Sequence, residues 1–271
     1  MKNLKIALGI ILALATFCAS AQSGKIEVQW LGNAAMKITT ISGKVIVIDP
    51  YLINNPKTPP DYKKLEALGK VDLILVTHGH GDHFGDAPAL AKLNNAPVWG
   101  PAGMNQSVIT LGILPAELAP RMGKGGTIMP FGPNIKITAT HAEHSSELMW
   151  KNPATGKDET HVGGEPVGYI IELENGFKIY HMGDTGIFGD MKLIGEYYKP
   201  DLIMIPIGGH YVLSPKDAAY VTKYFLRPKF AIPMHYATNA FLKGTPEEYM
   251  DALGKNSADV LYLKPGEKVT F

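Results

Sequence analysis

Cysteine is almost missing from this chain: Cys18 is the only one in 271 residues. It falls in an N-terminal segment where Lys2 and Lys5 precede an apolar run, Ile6 to Phe17, that ends in Ala19-Ser20-Ala21. A charged start, a short apolar centre and small residues at the exit make the pattern of a secretory signal peptide over residues 1–21. Cleavage after Ala21 leaves Gln22 first, and the expected location is periplasmic or secreted. An acylated Cys18 would give a lipoprotein instead, but Phe17 stands where such processing wants a small residue. The mature chain then has no thiol, which excludes disulfides, thiolate metal ligands and a cysteine nucleophile.

Long apolar runs are lacking too. A membrane-spanning helix needs about 20 apolar residues, more than Ile6 to Phe17 supplies, so no stable membrane anchor is expected. Charge of one sign is scarce, with 26 Lys and Arg against 25 Asp and Glu. Loss of Lys2 and Lys5 with the leader moves the formal charge from +1 to −1. That balance lacks the basic face of a nucleic-acid binder, and a small-molecule substrate is the expected partner. The 271-residue chain is 45% hydrophobic, enough for residues 22–271 to bury the core of a single domain.

What is present centres on Thr77-His78-Gly79-His80-Gly81-Asp82-His83, directly after the apolar run Val71 to Val76. The run reads as a buried strand. Two glycines let the backbone turn tightly, so neighbouring imidazoles and a carboxylate can converge on one point. That donor set suits zinc, with iron or manganese as second choices.

Other strands follow the same plan. Alternation predicts strands at Lys25–Leu31, Met36–Thr40 and Lys44–Ile48, the last two joined by a turn at Ile41-Ser42-Gly43. Asp49, at the end of the third, reads either as a carboxylate orienting a ligand histidine or as a turn residue before Pro50. Asp86 is expected to cap a helix running to Asn94. Further strands are expected at Val98-Trp99, Ile135–Thr140, Val167–Leu173, Phe177–His181, Leu202–Pro206, Phe230–Pro233, Val260–Leu263 and Lys268–Phe271. Ser214-Pro215 and Thr245-Pro246-Glu247-Glu248 mark helix starts. Residues 51–62 and the polar, turn-rich 146–166 read as loops, the second as a lid beside a site. Repeatedly a strand ends in histidine or aspartate: the 78–83 loop, His144, Asp184 and His235.

The T-H-x-H-x-D-H pattern resembles the metallo-β-lactamase superfamily, and the likeness extends over most of the mature chain. Ala142-Glu143-His144-Ser145-Ser146 and Pro233-Met234-His235-Tyr236 are similar to the A-x-H-S-S and P-M-H-Y of a branch related to ascorbate-phosphate lactonases. Gly183-Asp184-Thr185 matches the family's bridging carboxylate. The resemblance implies an α/β fold, a four-layer αββα sandwich with the metals at one sheet edge. It implies two divalent metal ions, one held by His78, His80 and His144, the other by Asp82, His83 and His235, with Asp184 between them. His141 is the alternative to His144. A water shared by two metals ionises near neutral pH and serves as nucleophile, with Asp82 also orienting it. For the proton on the leaving group the candidates are Tyr236 first, then His210, His141 and His181, each of which reads more readily as a core or wall residue. Related hydrolases often carry G-H-[SA] early in the chain; here it is Gly32-Asn33-Ala34, and Asn33 cannot shuttle protons.

Zinc β-lactamases carry cysteine or serine where this chain has Asp184, which argues against a β-lactam substrate. A lactone or ester, or a phosphoester of modest size, fits best. The competing expectations are a periplasmic metal-binding protein without turnover and a β-lactamase-like amidohydrolase.

Overall fold

The computed structural model describes residues 24–255 and 257–271, so the expected signal segment lies outside it. Two seven-stranded sheets face each other. The first half of the chain contributes β1 (Glu27–Gly32), β2 (Ala35–Thr39), β3 (Val45–Ile48), β4 (Leu73–Leu75), β5 (Val98–Pro101) and β6 (Arg121–Met122). The second half contributes β7 (Thr127–Ile128), β8 (Lys136–His141), a separate hairpin of β9 (Glu147–Lys151) and β10 (Asp158–Val162), then β11 (Val167–Glu172), β12 (Lys178–His181), β13 (Leu202–Pro206), β14 (Phe230–Met234), β15 (Asp259–Val260) and β16 (Lys268–Thr270). The sheet orders are 16-1-2-3-4-5-6 and 15-14-13-12-11-8-7, so the last strand returns to the first sheet.

Strand alternation sorts the apolar side chains into layers. Ile46, Ile48, Leu73 and Leu75 meet Tyr169, Ile171, Leu202, Met204, Ile232 and Met234 between the sheets. Val47, Ile74 and Val76 face outward onto α2 (Ala87–Asn94) and α3 (Ala102–Thr110), after the single-turn α1 (Gly81–Phe84). Ile170, Ile203, Ile205 and Ala231 face the other way, onto α4 (Met191–Tyr198), α5 (Pro215–Tyr220) and α6 (Pro246–Leu253). Helices outside and two sheets inside are the expected αββα order. Among the described residues no helix is long and apolar enough to cross a membrane.

The helix caps at Ser214 and Thr245 form as read, the second as a full capping box with Glu248. Asp86 does not cap its helix. Its Oδ2 accepts the backbone N–H of Leu52 (2.6 Å) and Ile53 (3.0 Å), pinning the start of the 51–62 loop. Residues 146–166 are not an irregular lid: β9 and β10 pair across them from Glu147↔Val162 to Lys151↔Asp158. Leu148, Met149 and Trp150 are consecutive and Asp158 to His161 all polar, so the residue types do not alternate as the strands do.

Candidate metal centre

Strand ends gather at one edge because β3, β4 and β5 run parallel, as do β12 to β15. Parallel neighbours release their chains on the same side, and functional loops collect there. Backbone bonds then lock the two sheets at that edge: Val167 N–H donates to Thr77 O (3.0 Å) and His235 N–H to Asn33 O (3.1 Å). The buried Tyr169 hydroxyl donates to Val76 O at 2.7 Å.

Into this edge the fold brings His78, His80, Asp82, His83, His144, Asp184 and His235. Three overlapping groups arise, His78/His80/His144, His78/His83/Asp184 and Asp82/His83/His235, with ligand atoms in each within 4.8 Å of one another. Asp184 stands in the middle: it lies 3.3 Å from His83 Nε2, 3.2 Å from His235 Nε2 and 3.6 Å from His144 Nε2. His78 Nε2 faces His80 Nδ1 at 3.0 Å, and His83 Nε2 faces His235 Nε2 at 3.2 Å.

A buried network assigns the ring nitrogens. Asp49 accepts from Thr77 N–H and from the Thr77 hydroxyl, each at 2.7 Å, and from His83 Nδ1 at 2.8 Å. Because that hydroxyl spends its proton on Asp49, it accepts from His78 Nδ1 at 3.0 Å. Both His78 and His83 therefore turn Nε2 into the cluster. Of the two readings of Asp49, the orienting carboxylate is the one the geometry supports. Asn33 works similarly on Asp82: its Nδ2 donates to Asp82 O and Oδ2, both at 3.2 Å, while its Oδ1 accepts from Thr238 Oγ1 at 2.8 Å. Asn33, Asp49 and His235 all hold positive φ, at 51°, 46° and 52°. Non-glycine residues adopt this region at a cost, and it persists where surrounding contacts dictate it.

Charge follows the same layout. Burial pushes Asp184 up, but His235 and His83 outweigh it and hold the carboxyl well below its ordinary range. Burial likewise opposes ionisation of Asp82, and His83 and His235 reverse the balance. Against burial, Asp184 raises His235 to about 9, and Asp184, Asp49 and Asp82 raise His83 well above the usual imidazole value. Burial carries His78 well below that value and lowers His144.

The residues fit divalent cations. Asp184 Oδ1 is buried with no hydrogen-bond partner beside His83 Nε2, and its Oδ2 faces the inward-turned nitrogens of His235 and His144. Imidazole with carboxylate is the donor set that zinc takes, and iron and manganese accept it too.

A cavity of about 450 Å³ opens over the cluster, lined by Tyr51, Ser145, Tyr211, Thr238 and Asn239 beside His80, Asp82, His144, Asp184 and His235. Tyr236 and His210, read as proton donors, are not in that lining. The Tyr236 ring packs on Trp30 at 5.4 Å between the sheets, and His210, at φ 58°, stacks on Phe241 at 5.1 Å. His181 is a core residue: Nε2 donates to Ala34 O at 2.9 Å and Nδ1 accepts Gly183 N–H at 3.2 Å. His141 lies against Lys124, Glu143 and Phe188 outside the cluster, which leaves His144 as the inward histidine of the pair. Sequence reasoning missed Glu147, whose Oε2 is 2.8 Å from His80 Nε2, along with Thr238 and Asn239. A carboxylate three residues past a ligand histidine was the one signal for Glu147.

Comparison with known proteins agrees with this geometry. The family description that matches the chain is "Beta-lactamase superfamily domain", over residues 44–236. A UPF0173 metal-dependent hydrolase of Cupriavidus necator is 65% identical over 251 residues, spanning 92% of this chain and 87% of its own length. One from Polaromonas sp. is 61% identical over 272 residues, 100% of this chain and 99% of that protein. Among solved structures, Igni18, a metallo hydrolase from the archaeon Ignicoccus hospitalis, superposes with a TM-score of 0.76 at 31% identity, covering 91% of this chain and 98% of that one.

Proposed function

Because the chain belongs to the β-lactamase superfamily and its relatives are metal-dependent hydrolases, we propose that it hydrolyses a small ester or lactone at a dinuclear metal centre. The observation that carries the reading is the meeting of five imidazoles and two carboxylates, through three overlapping ligand groups, at and beneath the floor of one cavity that His80, His144, His235 and both carboxylates line. His78, His80 and His144 would hold one divalent cation and Asp82, His83 and His235 the other, with Asp184 shared. Zinc is the first choice. When bound, such cations acidify a water and polarise the carbonyl or phosphoryl oxygen under attack.

The chain's own residues do the rest. The Asp82 side chain is 37% exposed and that of Asp184 only 4%, so Asp82 is the carboxylate that an entering water reaches. Asn33 Nδ2 fixes Asp82 Oδ2, which aims its remaining lone pairs at the cavity. Asp49 keeps His83 Nδ1–H engaged and its Nε2 turned inward. Tyr211 is a hydroxyl of the 208–214 loop in the cavity wall, and we assign it the role of supporting the leaving group in place of Tyr236 and His210. Walls of tyrosine, serine, threonine and asparagine suit an uncharged ester or lactone better than a phosphoester.

The test is a panel of 4-nitrophenyl acetate, δ-valerolactone and bis(4-nitrophenyl) phosphate, with metal-loaded and chelator-treated protein. Turnover of the ester or lactone that chelation abolishes is expected. Turnover that survives complete metal removal, or none on any substrate with metals bound, overturns the reading. Export is proposed on the N-terminal pattern alone. A mature chain beginning near Gln22 in the periplasmic fraction supports it, and an intact leader there sinks it.

A further inference from the structure

Four ligand histidines have one ring nitrogen turned into the cluster by the contacts described above; His80 is oriented differently. Its Nδ1 faces His78 Nε2 at 3.0 Å, and its Nε2 points outward to Glu147 Oε2 at 2.8 Å. Glu147 opens β9, so the partner belongs to the hairpin and not to the strand edge that bears the ligands. The hairpin base is in turn fastened to the metal loop. Gly79 N–H donates to Ser146 Oγ at 3.0 Å, Ser146 Oγ donates to Gly163 O at 2.7 Å, and Ser145 Oγ donates to Glu147 Oε2 at 3.1 Å.

Close approach makes this contact specific. A Cβ on Gly79 would come within 3.1 Å of Glu147 O and of Gly163 Cα, and one on Gly163 would collide with Ser146 O. Glycine at both positions lets the hairpin base lie directly on the turn between His78 and His80. The Glu147 carboxylate is thereby held where His80 can reach it.

We infer that Glu147 is a positioning residue for His80: it accepts the hydrogen bond of the Nε2 N–H, leaves Nδ1 as the free lone pair, and so completes the His78/His80/His144 group. A ligand histidine that gives its second N–H to a carboxylate is fixed in tautomer and ring orientation and becomes more basic. The contact is half exposed, with side chains 27% and 51% accessible, and exposed pairs of this kind add little to folding. Its effect is therefore expected on ligation and not on stability. The inference rests on the proposed dinuclear centre.

The experiment titrates zinc into metal-stripped, full-length mature protein against a competing chromogenic chelator, for wild type, Glu147→Ala, Glu147→Gln and the far-hairpin control Glu159→Gln. In Glu147→Ala one of the two binding steps is expected to weaken by about 10–100-fold, while the other step and the melting temperature of the metal-free protein are unchanged. Glu147→Gln, which keeps an uncharged acceptor, falls between, and Glu159→Gln binds as wild type. Cobalt(II) in place of zinc provides a second readout, with the absorption spectrum of one site altered in Glu147→Ala only. Equal zinc affinity in wild type and Glu147→Ala overturns the inference and leaves the proposed function intact. A fall in both binding steps accompanied by a lower metal-free melting temperature also overturns it, since that marks a fold effect. Failure of wild type to bind any divalent cation removes the dinuclear centre and the inference with it.

Discussion

Asp49 Oδ2 lies 2.8 Å from His83 Nδ1, and both side chains are fully buried. The same carboxylate holds Thr77 through its N–H and its hydroxyl, and Thr77 holds His78. One residue at the end of β3 thus orients a histidine from each of the two proposed ligand sets.

Asp49→Ala should therefore damage both metal affinity and stability, in contrast to the Glu147 variants. Removing it strands a buried imidazole N–H, an amide N–H and a hydroxyl, at about 1–3 kcal/mol for each group left unpaired. Zinc affinity should fall by about 10–100-fold. Thermal melting of the metal-free protein and a zinc titration check the two effects; a variant that matches wild type in both refutes the assigned role.

Asp184→Ala and His235→Ala should each fold, lose bound metal and lose most activity. Asp184 touches three of the histidines, so its loss should disturb the whole cluster, whereas His235 faces one histidine, His83, and the two carboxylates. Metal analysis is expected to show the larger deficit in Asp184→Ala. Full metal content and full turnover in either variant would exclude the site.

Metal uptake should depend on pH, with a sign set by the histidines. His235 is raised to about 9 and His83 is raised as well, both chiefly by Asp184 once burial is overcome, which favours the protonated form of this pair in the metal-free protein. A cation must displace those protons. Affinity of the Asp82/His83/His235 group should then rise with pH between 7 and about 9 and level off above. His78 and His144 are shifted below the imidazole range by burial and are already neutral there, so their group should show little change. Calorimetry in buffers of different ionisation heat counts the released protons, and proton-free binding at both sites would contradict the scheme.

Asn33→Gly should keep the left-handed backbone and remove only the side chain that steers Asp82. A hydrogen bond to a charged group contributes about 1.5–3 kcal/mol, so kcat should drop by roughly one to two orders of magnitude with zinc content retained. Asn33→Ala should lose stability in addition, because alanine resists positive φ. Unchanged kcat in Asn33→Gly would show that Asp82 needs no steering.

Much of the layer order was visible in local pattern. Leu202–Pro206 emerged with its expected bounds, and the turn at Asn175-Gly176 closes β11 onto β12 as its residue types imply. The hairpin of β9 and β10 was not visible, because Leu148, Met149 and Trp150 stand in a row and Asp158 to His161 are all polar, so the alternating burial of the two strands has no counterpart in residue type. Asp86 looked like a cap since it precedes a helix, yet two amides of a loop more than thirty residues away in sequence claim it.

The ligand types were determined by the chain itself: histidines and aspartates stand at the ends of apolar runs, and alternation within those runs dictates which face is buried. Which nitrogen of each ring turns inward was decided only by folding. So was the removal of Tyr236, His210 and His181 from the cavity, and the arrival of Glu147, Thr238 and Asn239 around it. The reason is distance along the chain. Asn33 meets Thr238 and His80 meets Glu147 across long separations, and no local period records a contact that only the packing of two sheets creates.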